Sequence, residues 1–321
     1  MESFGVRSPF HKKMKLLIAY DGSVFADAAI EDLTRAGLPS EAEAMVMSIT
    51  DAWELPEIVD RVSQQGGRIS KENSEVIQNH LQQVIANTEV LAESASARLR
   101  TIFPGWNVSS EARTGKPAWE LIKYADDWDP DLIVMGSHGR GFVGRAVLGS
   151  VSMKVLHEAR CSVRIAREGR ADAGQNRVLV AVDGSENSDL CVETVAARSW
   201  DENAEFRIIT ADDDPASRPE ISALDAVPEG FEDSDEAKQW MERVITGPGR
   251  KMKNAGLNTS QYCRWGDARR VILDEAEEWN ADSIFIGARG LSRFKRLLIG
   301  SVSAAVAAKA KCSVEVVRIS K

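Results

Sequence analysis

Two glycines three positions apart, Gly136-Ser-His-Gly139, stand directly behind the apolar run Leu132-Ile-Val-Met135, and nine residues further on the chain reads Gly149-Ser150. The pattern returns 151 positions later as Gly287-Ala-Arg-Gly290, nine residues, then Gly300-Ser301-Val302-Ser303, behind Ser283-Ile-Phe-Ile286. A short continuous apolar run reads as a buried parallel strand. Glycines at its carboxyl end let the backbone turn sharply and let a ligand come close to the main chain. Gly-Ser then opens a helix whose first N–H groups lack acceptors of their own and form an anion site. Arg140 and Arg145 in the first loop, with Arg289, Arg293, Lys295 and Arg296 in the second, add positive charge. The chemistry this suits is holding a polyphosphate. A plainer reading makes the glycines loop punctuation and Ser150 and Ser301 ordinary N-caps, and the repetition of one spacing weighs against it.

Two motif matches inside this stretch fail. Gly139-Arg-Gly141-Phe-Val-Gly144 has the glycine spacing of a dinucleotide fingerprint, but the second copy keeps only its first glycine, Gly290. That fingerprint also belongs in a first strand-to-helix turn, whereas this loop follows the fourth strand of its half. Gly144 to Ser150 has P-loop spacing without the P-loop lysine. His138 has no carboxylate or cysteine partner visible in the sequence, and Arg289 replaces it in the second copy. The pair therefore reads as a phosphate contact rather than a catalytic base.

The elements that must position these residues also come twice. Lys15–Tyr20 and Val178–Val182 read as first strands, each ending in Asp-Gly-Ser, at Asp21 and at Asp183. A carboxylate there can accept hydrogen bonds from sugar hydroxyls, although Asp-Gly-Ser is good turn chemistry as well. Ser23 is expected to cap a helix through about Ala36. Second strands at Ala44–Ile49 and Phe206–Ile209 follow, then a polar insertion over Arg61–Glu75 and a long helix through Ile77–Leu99 in one half, against an acidic loop over Asp212–Asp235 and a shorter helix in the other. Third strands at Asn107–Arg113 and Asn258–Arg264 lead into helices carrying Trp119, Leu121, Ile122 and Ala125, or Val271, Ile272 and Ala276. Each half closes with the glycine loop, a helix and a last strand. Alternating strands and helices predict an α/β fold of two tandem doubly wound, mainly parallel five-stranded sheets. The expected boundaries are an arm over 1–13, a first domain over 14–168, a linker over 169–176 and a second domain over 177–321. In such sheets a ligand binds at the carboxyl ends of the strands, which puts Asp21 and the Gly136 loop in one crevice.

A chain of 321 residues has the length for about two domains, and 43% hydrophobic with 28% charged residues is ordinary globular composition. The net charge of −9 argues against non-specific binding to nucleic acid or to anionic membrane. Before Lys15 there is no apolar stretch of signal-peptide type, so a cytoplasmic location is expected. The four cysteines show no metal-type pairing, and Cys161 and Cys312, at equivalent repeat positions, are expected to pack as small apolar residues.

At these motifs the chain resembles a universal stress protein of the tandem type, with two UspA-like domains and the adenine nucleotide alpha hydrolase-like fold. Nucleotide-binding members carry Asp at the end of the first strand and G-x2-G-x9-G-[S/T] after the fourth, and both copies here match. The resemblance implies that Asp21 meets the ribose or base region, Ile49 lines the adenine pocket, and Met135 and Gly136 pass beneath the nucleotide. It implies that His138, Gly139, Gly149, Ser150, Val151 and Ser152 surround the phosphates and ribose. The second set is Asp183, Ile209, Ile286, Gly287, Arg289, Gly290, Gly300, Ser301, Val302 and Ser303. The expected ligand is ATP, or ADP or AMP, with Mg as companion ion, in a nucleotide-dependent regulator of a stress response. A slow ATP hydrolase or a related adenylating enzyme is the alternative, and a flavin or electron-transfer module a third reading. By the same resemblance the last strands, Ser162–Arg167 and Ser313–Arg318, join the halves as an intramolecular pseudo-twofold pair, with a homodimer through other surfaces as a further expectation. Arg164 and Glu315 hold one repeat position with opposite charge, which favours the mixed pair over self-pairing unless both simply face solvent.

Overall fold

The computed structural model describes residues 13–51, 71–139, 148–169, 174–212, 235–290 and 299–319. The expected arm before Lys13, the polar insertion up to Ser70, the acidic loop between Asp212 and Asp235, linker residues 170–173 and the loop cations Arg140, Arg145, Arg293, Lys295 and Arg296 lie outside them.

The first half runs β1 (Met14–Ala19), α1 (Val24–Asp32), β2 (Ala42–Thr50), α2 (Lys71–Ile102), β3 (Asn107–Thr114), α3 (Pro117–Trp128), β4 (Leu132–Gly136), α4 (Ser150–Glu158) and β5 (Ser162–Ala166). The second repeats the order as β6 (Arg177–Ala181), α5 (Glu186–Ala196), β7 (Glu205–Asp212), α6 (Asp235–Asn254), β8 (Asn258–Trp265), α7 (Ala268–Glu278), β9 (Ser283–Gly287), α8 (Ser301–Lys309) and β10 (Ser313–Val317). Ser23 and Ser185 cap α1 and α5, their hydroxyls accepting from Ala26 N and Ser188 N. The first helix is shorter than expected. It tightens into a 3-10 turn over Leu33–Arg35 and leaves through Gly37, whose φ is +62° and whose missing Cβ would stand 2.7 Å from the Trp200 ring of the other half. Glycine there serves both the left-handed turn and the aromatic packed on it.

The two expected five-stranded sheets are one sheet of ten, in the order β3-β2-β1-β4-β5-β10-β9-β6-β7-β8. Within each half every pairing among the described residues is parallel, and the seam is antiparallel, with Val314 opposite Ile165, Glu315 opposite Arg164 and Val316 opposite Val163. A reversed seam turns the carboxyl ends of the two sets of strands toward opposite rims of the sheet.

The central strands are apolar on both faces because helices cover both. On one face a single core runs through both halves, from Leu17, Ile133 and Ile165 to Val314, Ile284 and Leu179, beneath α3, α4, α7 and α8. On the other face there are two separate cores, one around Ile18, Ile30, Val134 and Leu99 and one around Val180, Val192, Phe206 and Phe285. Trp119 of α3 is 56% exposed. The stripe at Ala118, Leu121, Ile122 and Ala125 already fills the inner face, and Trp119 lies beside it with Lys154 Nζ 4.0 Å from its ring centre.

Arg164 and Glu315 do not face solvent. Both are fully buried, with Arg164 Nη1 donating to Glu315 Oε2 at 3.3 Å. Arg164 also grips Asp32 of α1, Nε to Oδ2 at 2.5 Å and Nη2 to Oδ1 at 3.1 Å. Glu315 is held in turn by Arg198, which follows α5 and also donates to Ala36 O at 2.6 Å. Burial opposes the charge on Arg164, but the Asp32 and Glu315 carboxylates outweigh it and raise the guanidinium pKa above its ordinary value. Each seam strand thus carries a charge balanced from its own half, by Asp32 at the end of α1 or by Arg198 just after α5.

This arrangement decides what a charge exchange does. Arg164→Glu alone puts three carboxylates together and is expected to cost about 3–5 kcal/mol. Adding Glu315→Arg restores little, because the carboxylate introduced at position 164 still faces Asp32 and the guanidinium introduced at position 315 faces Arg198. Only the fourfold exchange, with Asp32→Arg and Arg198→Asp, is expected to recover most of the loss. Urea unfolding midpoints of the three variants check this, and full recovery in the twofold exchange would contradict it.

Candidate functional site

At the carboxyl ends of β1, β2 and β4, in front of α4, lies a cavity of about 560 Å³. All the first-half candidates line it: Asp21, Ile49, Met135, Gly136, His138, Gly139, Gly149, Ser150, Val151 and Ser152. Spread along the sequence from Asp21 to Ser152, they come together because three parallel strands end side by side.

Asp21 is fixed by an Asx-type turn, its Oδ1 accepting from Ser23 N at 3.0 Å. The glycine loop passes over its other oxygen so closely that a Cβ on Gly139 would stand 2.9 Å from Oδ2. In the second copy Asp183 accepts from Ser185 N at 3.0 Å, and a Cβ on Gly290 would stand 2.2 Å from Asp183 Oδ2. The second glycine of each pair therefore lies against the strand-end carboxylate, the end of a short side chain that can give way. The first has a different reason. A Cβ on Gly136 would meet the backbone of Phe25 in α1 at 2.6 Å, and one on Gly287 the backbone of Asn187 in α5 at 2.8 Å, so these glycines let the first helix lie down on the strand end.

The ends of the nine-residue loops are closed by Gly149 N donating to Ser137 O at 2.9 Å and Gly300 N to Ala288 O at 2.7 Å. Gly149 and Gly300, rather than Ser150 and Ser301, are the N-caps of α4 and α8, and among the described residues no side chain caps either helix. Ser150 and Ser301 are the exposed first helical residues. Ser152 and Ser303 are buried and donate back to Gly136 O at 2.9 Å and Gly287 O at 2.6 Å, stitching helix to strand. The first-turn N–H groups thus face the cavity without a capping side chain, which is the condition for an anion site at a helix start. Val151 and Val302 are half-buried at the same turn.

His138 is buried, its Nδ1 3.0 Å from Ser137 Oγ and its ring 5.1 Å from that of Phe25. Arg289 in its place is exposed. In the second half Ile286 and Ile209 belong to the shared core. Register shows that Ile209, opposite Ala181, holds the place of Met47, opposite Ala19. The counterpart of Ile49 is Ala211, since Ile49 faces Arg113 on β3 and Ala211 faces Arg264 on β8.

Sequence reasoning missed part of the wall. Met47, Ser48 and Thr50 of β2 flank Ile49, Thr88 and Leu91 come from α2, and Pro117 and Leu121 from α3. The signal for Leu91 was present in the helical spacing of Val84, Leu91, Ala95 and Leu99. Nothing local says that the middle of this helix passes beside the end of β2. The loops entering α3 and α7 differ in charge, Lys116 at one N-cap and Asp267 at the other. A hydrogen bond from Arg269 holds the Asp267 carboxyl down at about 2. Among the described residues no cluster of side chains that could hold a metal ion is found, and no helix is long and apolar enough to cross a membrane.

A model of the Universal stress protein family matches residues 13–167 and again residues 175–318. A universal stress protein of Mycobacterium tuberculosis is 26% identical over 333 residues, covering 96% of this chain and 98% of its own length. One from Mycolicibacterium smegmatis is also 26% identical, covering 94% and 96%. The crystal structure of a universal stress protein from Archaeoglobus fulgidus has the same fold, with TM-score 0.56 and 22% identity, covering 96% of this chain and 97% of that one.

The glycines of one loop are expected to separate on substitution. Gly136→Ala forces backbone apart and should cost about 1–3 kcal/mol. Gly139→Ala displaces only the end of one short side chain and should cost under about 1 kcal/mol. Denaturant unfolding measures both, and equal losses would contradict the assignment of the two glycines to different contacts.

Proposed function

The chain belongs to the universal stress protein family, and from that footing we propose that it binds adenine nucleotide at the carboxyl ends of its two sets of strands. ATP is the proposed ligand, with ADP or AMP as the lesser forms, and occupancy sets conformation or partner choice in a stress response. The observation that carries this reading is the cavity of about 560 Å³ whose wall holds both the strand-end Asp21 and the uncapped start of α4. That volume suits a small organic ligand. The polarity of its wall suits this one in particular: phosphates before the N–H groups of Gly149–Ser152, ribose hydroxyls toward Asp21, and the base toward Ile49 and its apolar neighbours. Mg would accompany the phosphates as their companion ion. The second set, from Asp183 to Ser303, repeats the same chemistry with Arg289 for His138 and Ala211 for Ile49.

Hydrolysis or adenylyl transfer is the second reading. Both need a group that orients or deprotonates a nucleophile. His138, the residue best placed for that, is packed against Phe25 and Ser137, and its counterpart is an arginine. A regulator is therefore favoured over an enzyme. The net charge of −9 supports the absence of a nucleic-acid or anionic-membrane partner, and a cytoplasmic place is proposed with it.

Calorimetry with ATP is expected to give two sites per chain. Gly149→Val and Gly300→Val should each remove one, because a side chain at the N-cap occupies the place where phosphate meets backbone. A Cβ at Gly149 already stands 3.3 Å from His138 Cα. Unchanged stoichiometry in either variant would sink the site assignment. Turnover is expected to be negligible beside the roughly 10 s⁻¹ of an ordinary enzyme. A steady-state phosphate-release assay checks this, and vigorous hydrolysis abolished by His138→Ala would favour the second reading.

A further inference from the structure

Arg167 and Arg318 follow the last strand of each half at matching places, and each reaches across the seam. Arg167 donates from Nη2 to Ala307 O at 2.6 Å and from Nη1 to Cys312 O at 3.2 Å. Ala307 lies in the last turn of α8, whose first turn opens the second site. Arg318 does the converse, donating to Leu156 O in the last turn of α4 and to Cys161 O at 3.3 Å. Backbone contacts repeat the exchange, Arg167 N to Ser313 Oγ at 3.0 Å and Arg318 N to Ser162 Oγ at 3.1 Å.

The carbonyls at the end of a helix have no N–H partners within it and carry the negative end of its dipole. A cation held there complements the same dipole that draws an anion to the other end. In place of a carboxylate, each guanidinium meets such carbonyls. Burial pushes both side chains down to about 10, as expected of charges taken out of water. Their starting points matter too. Arg167 follows Ala166, which pairs with Gly136, and Arg318 follows Val317, which pairs with Gly287. Ala288 N donates to Val317 O at 2.8 Å. Each arginine therefore springs from beside the glycine loop of its own half and ends on the phosphate helix of the other.

We infer that Arg167 and Arg318 are positioning residues, each holding the phosphate helix of the opposite half, and that through them the two candidate sites are coupled. The inference rests on the nucleotide reading of those sites. Its sign follows from geometry. Ala288 N of the second glycine loop donates to Val317 O, beside Arg318, so a ligand that orders this loop steadies the stem of Arg318 and with it the hold of Arg318 on α4. Binding at the second site then strengthens binding at the first, and by linkage the reverse holds.

The test uses the full chain with one site disabled, titrated with ATP by calorimetry. In the Gly300→Val background, where only the first site binds, Arg318→Met is expected to weaken it about five-fold. The same change in the Gly149→Val background should alter the second site less than about two-fold. Arg167→Met should give the opposite pattern, and Arg318→Lys, which keeps a cation at the helix end, should restore part of the loss. A merely structural role would weaken both sites together, and that outcome, or no weakening at either, overturns the inference. A measurement independent of the arginine variants is amide hydrogen exchange in Gly149→Val. ATP at the second site should raise protection in α4, and unchanged exchange there counts against the coupling. If the unmodified chain binds no ATP, the nucleotide reading fails and takes this inference with it, whereas binding without the crossed pattern defeats the inference alone.

Discussion

Each half of this protein ends in a strand with one open edge, and an open edge exposes a row of N–H and C=O groups that must find partners. Pairing β5 with β10 satisfies both rows, and most of the architecture follows from that pairing. It merges the helices of one face over a single core. It sends the two candidate sites to opposite rims of the sheet, because an antiparallel seam reverses the direction of every strand beyond it. On the other face it encloses four charged side chains, Asp32, Arg164, Glu315 and Arg198, between two separate cores. Such a cluster adds little net stability beside an apolar filling, but breaking any one member leaves an unpaired buried charge.

Most of the strands and helices were legible in the sequence because their signals are local. A continuous apolar run such as Leu132–Met135 marks a strand covered on both faces, and Ser23 and Ser185 mark helix starts. The duplicated glycine loop and the Asp-Gly-Ser turns were legible for another reason: a repeat tests each reading twice. The joining of two sheets into one was only half visible. Edge character and the opposite charges at Arg164 and Glu315 pointed to it, but Asp32 and Arg198 sit far away in sequence and carry no motif. Register was the other gap. Ile209 looked like the partner of Ile49 by residue type, and two residues of offset along β7 keep it on the same face while moving it one pair deeper. Trp119 is an aromatic left exposed, since its neighbours Ala118, Leu121 and Ile122 fill the buried stripe.

The copies are alike in glycines and unlike in charge. Counted from the N-caps Ser23 and Ser185, Asp32 answers to Thr194 and Arg198 to Ala36, so the helix charge stands at a different place in each half. Counted from the glycine loops, Arg164 answers to Glu315, His138 to Arg289 and Lys116 to Asp267. Backbone geometry is what the repeat preserves, because main chains approach closely at Gly136 and Gly287, and at Gly139 and Gly290 the loop crosses the strand-end carboxylate. Electrostatics is where the halves have become a pair rather than two copies. A seam of two arginine strands, or of two glutamate strands, would bury like charges against each other.

The position of Arg164 in the chain bears on how the protein is made. A ribosome delivers the first half well before Glu315, which follows 151 residues later. During that interval β5 is an unguarded edge, open to the same strand of a neighbouring nascent chain. An arginine in its middle disfavours that encounter, as charges on edge strands do, because a second copy of β5 offers no carboxylate at the facing position, while Asp32 already pairs with it within the emerging half. Glu315 likewise arrives after Arg198. Each strand is thus delivered with its charge balanced at home and rejecting its own kind, and the one partner that accepts it comes on the same polypeptide.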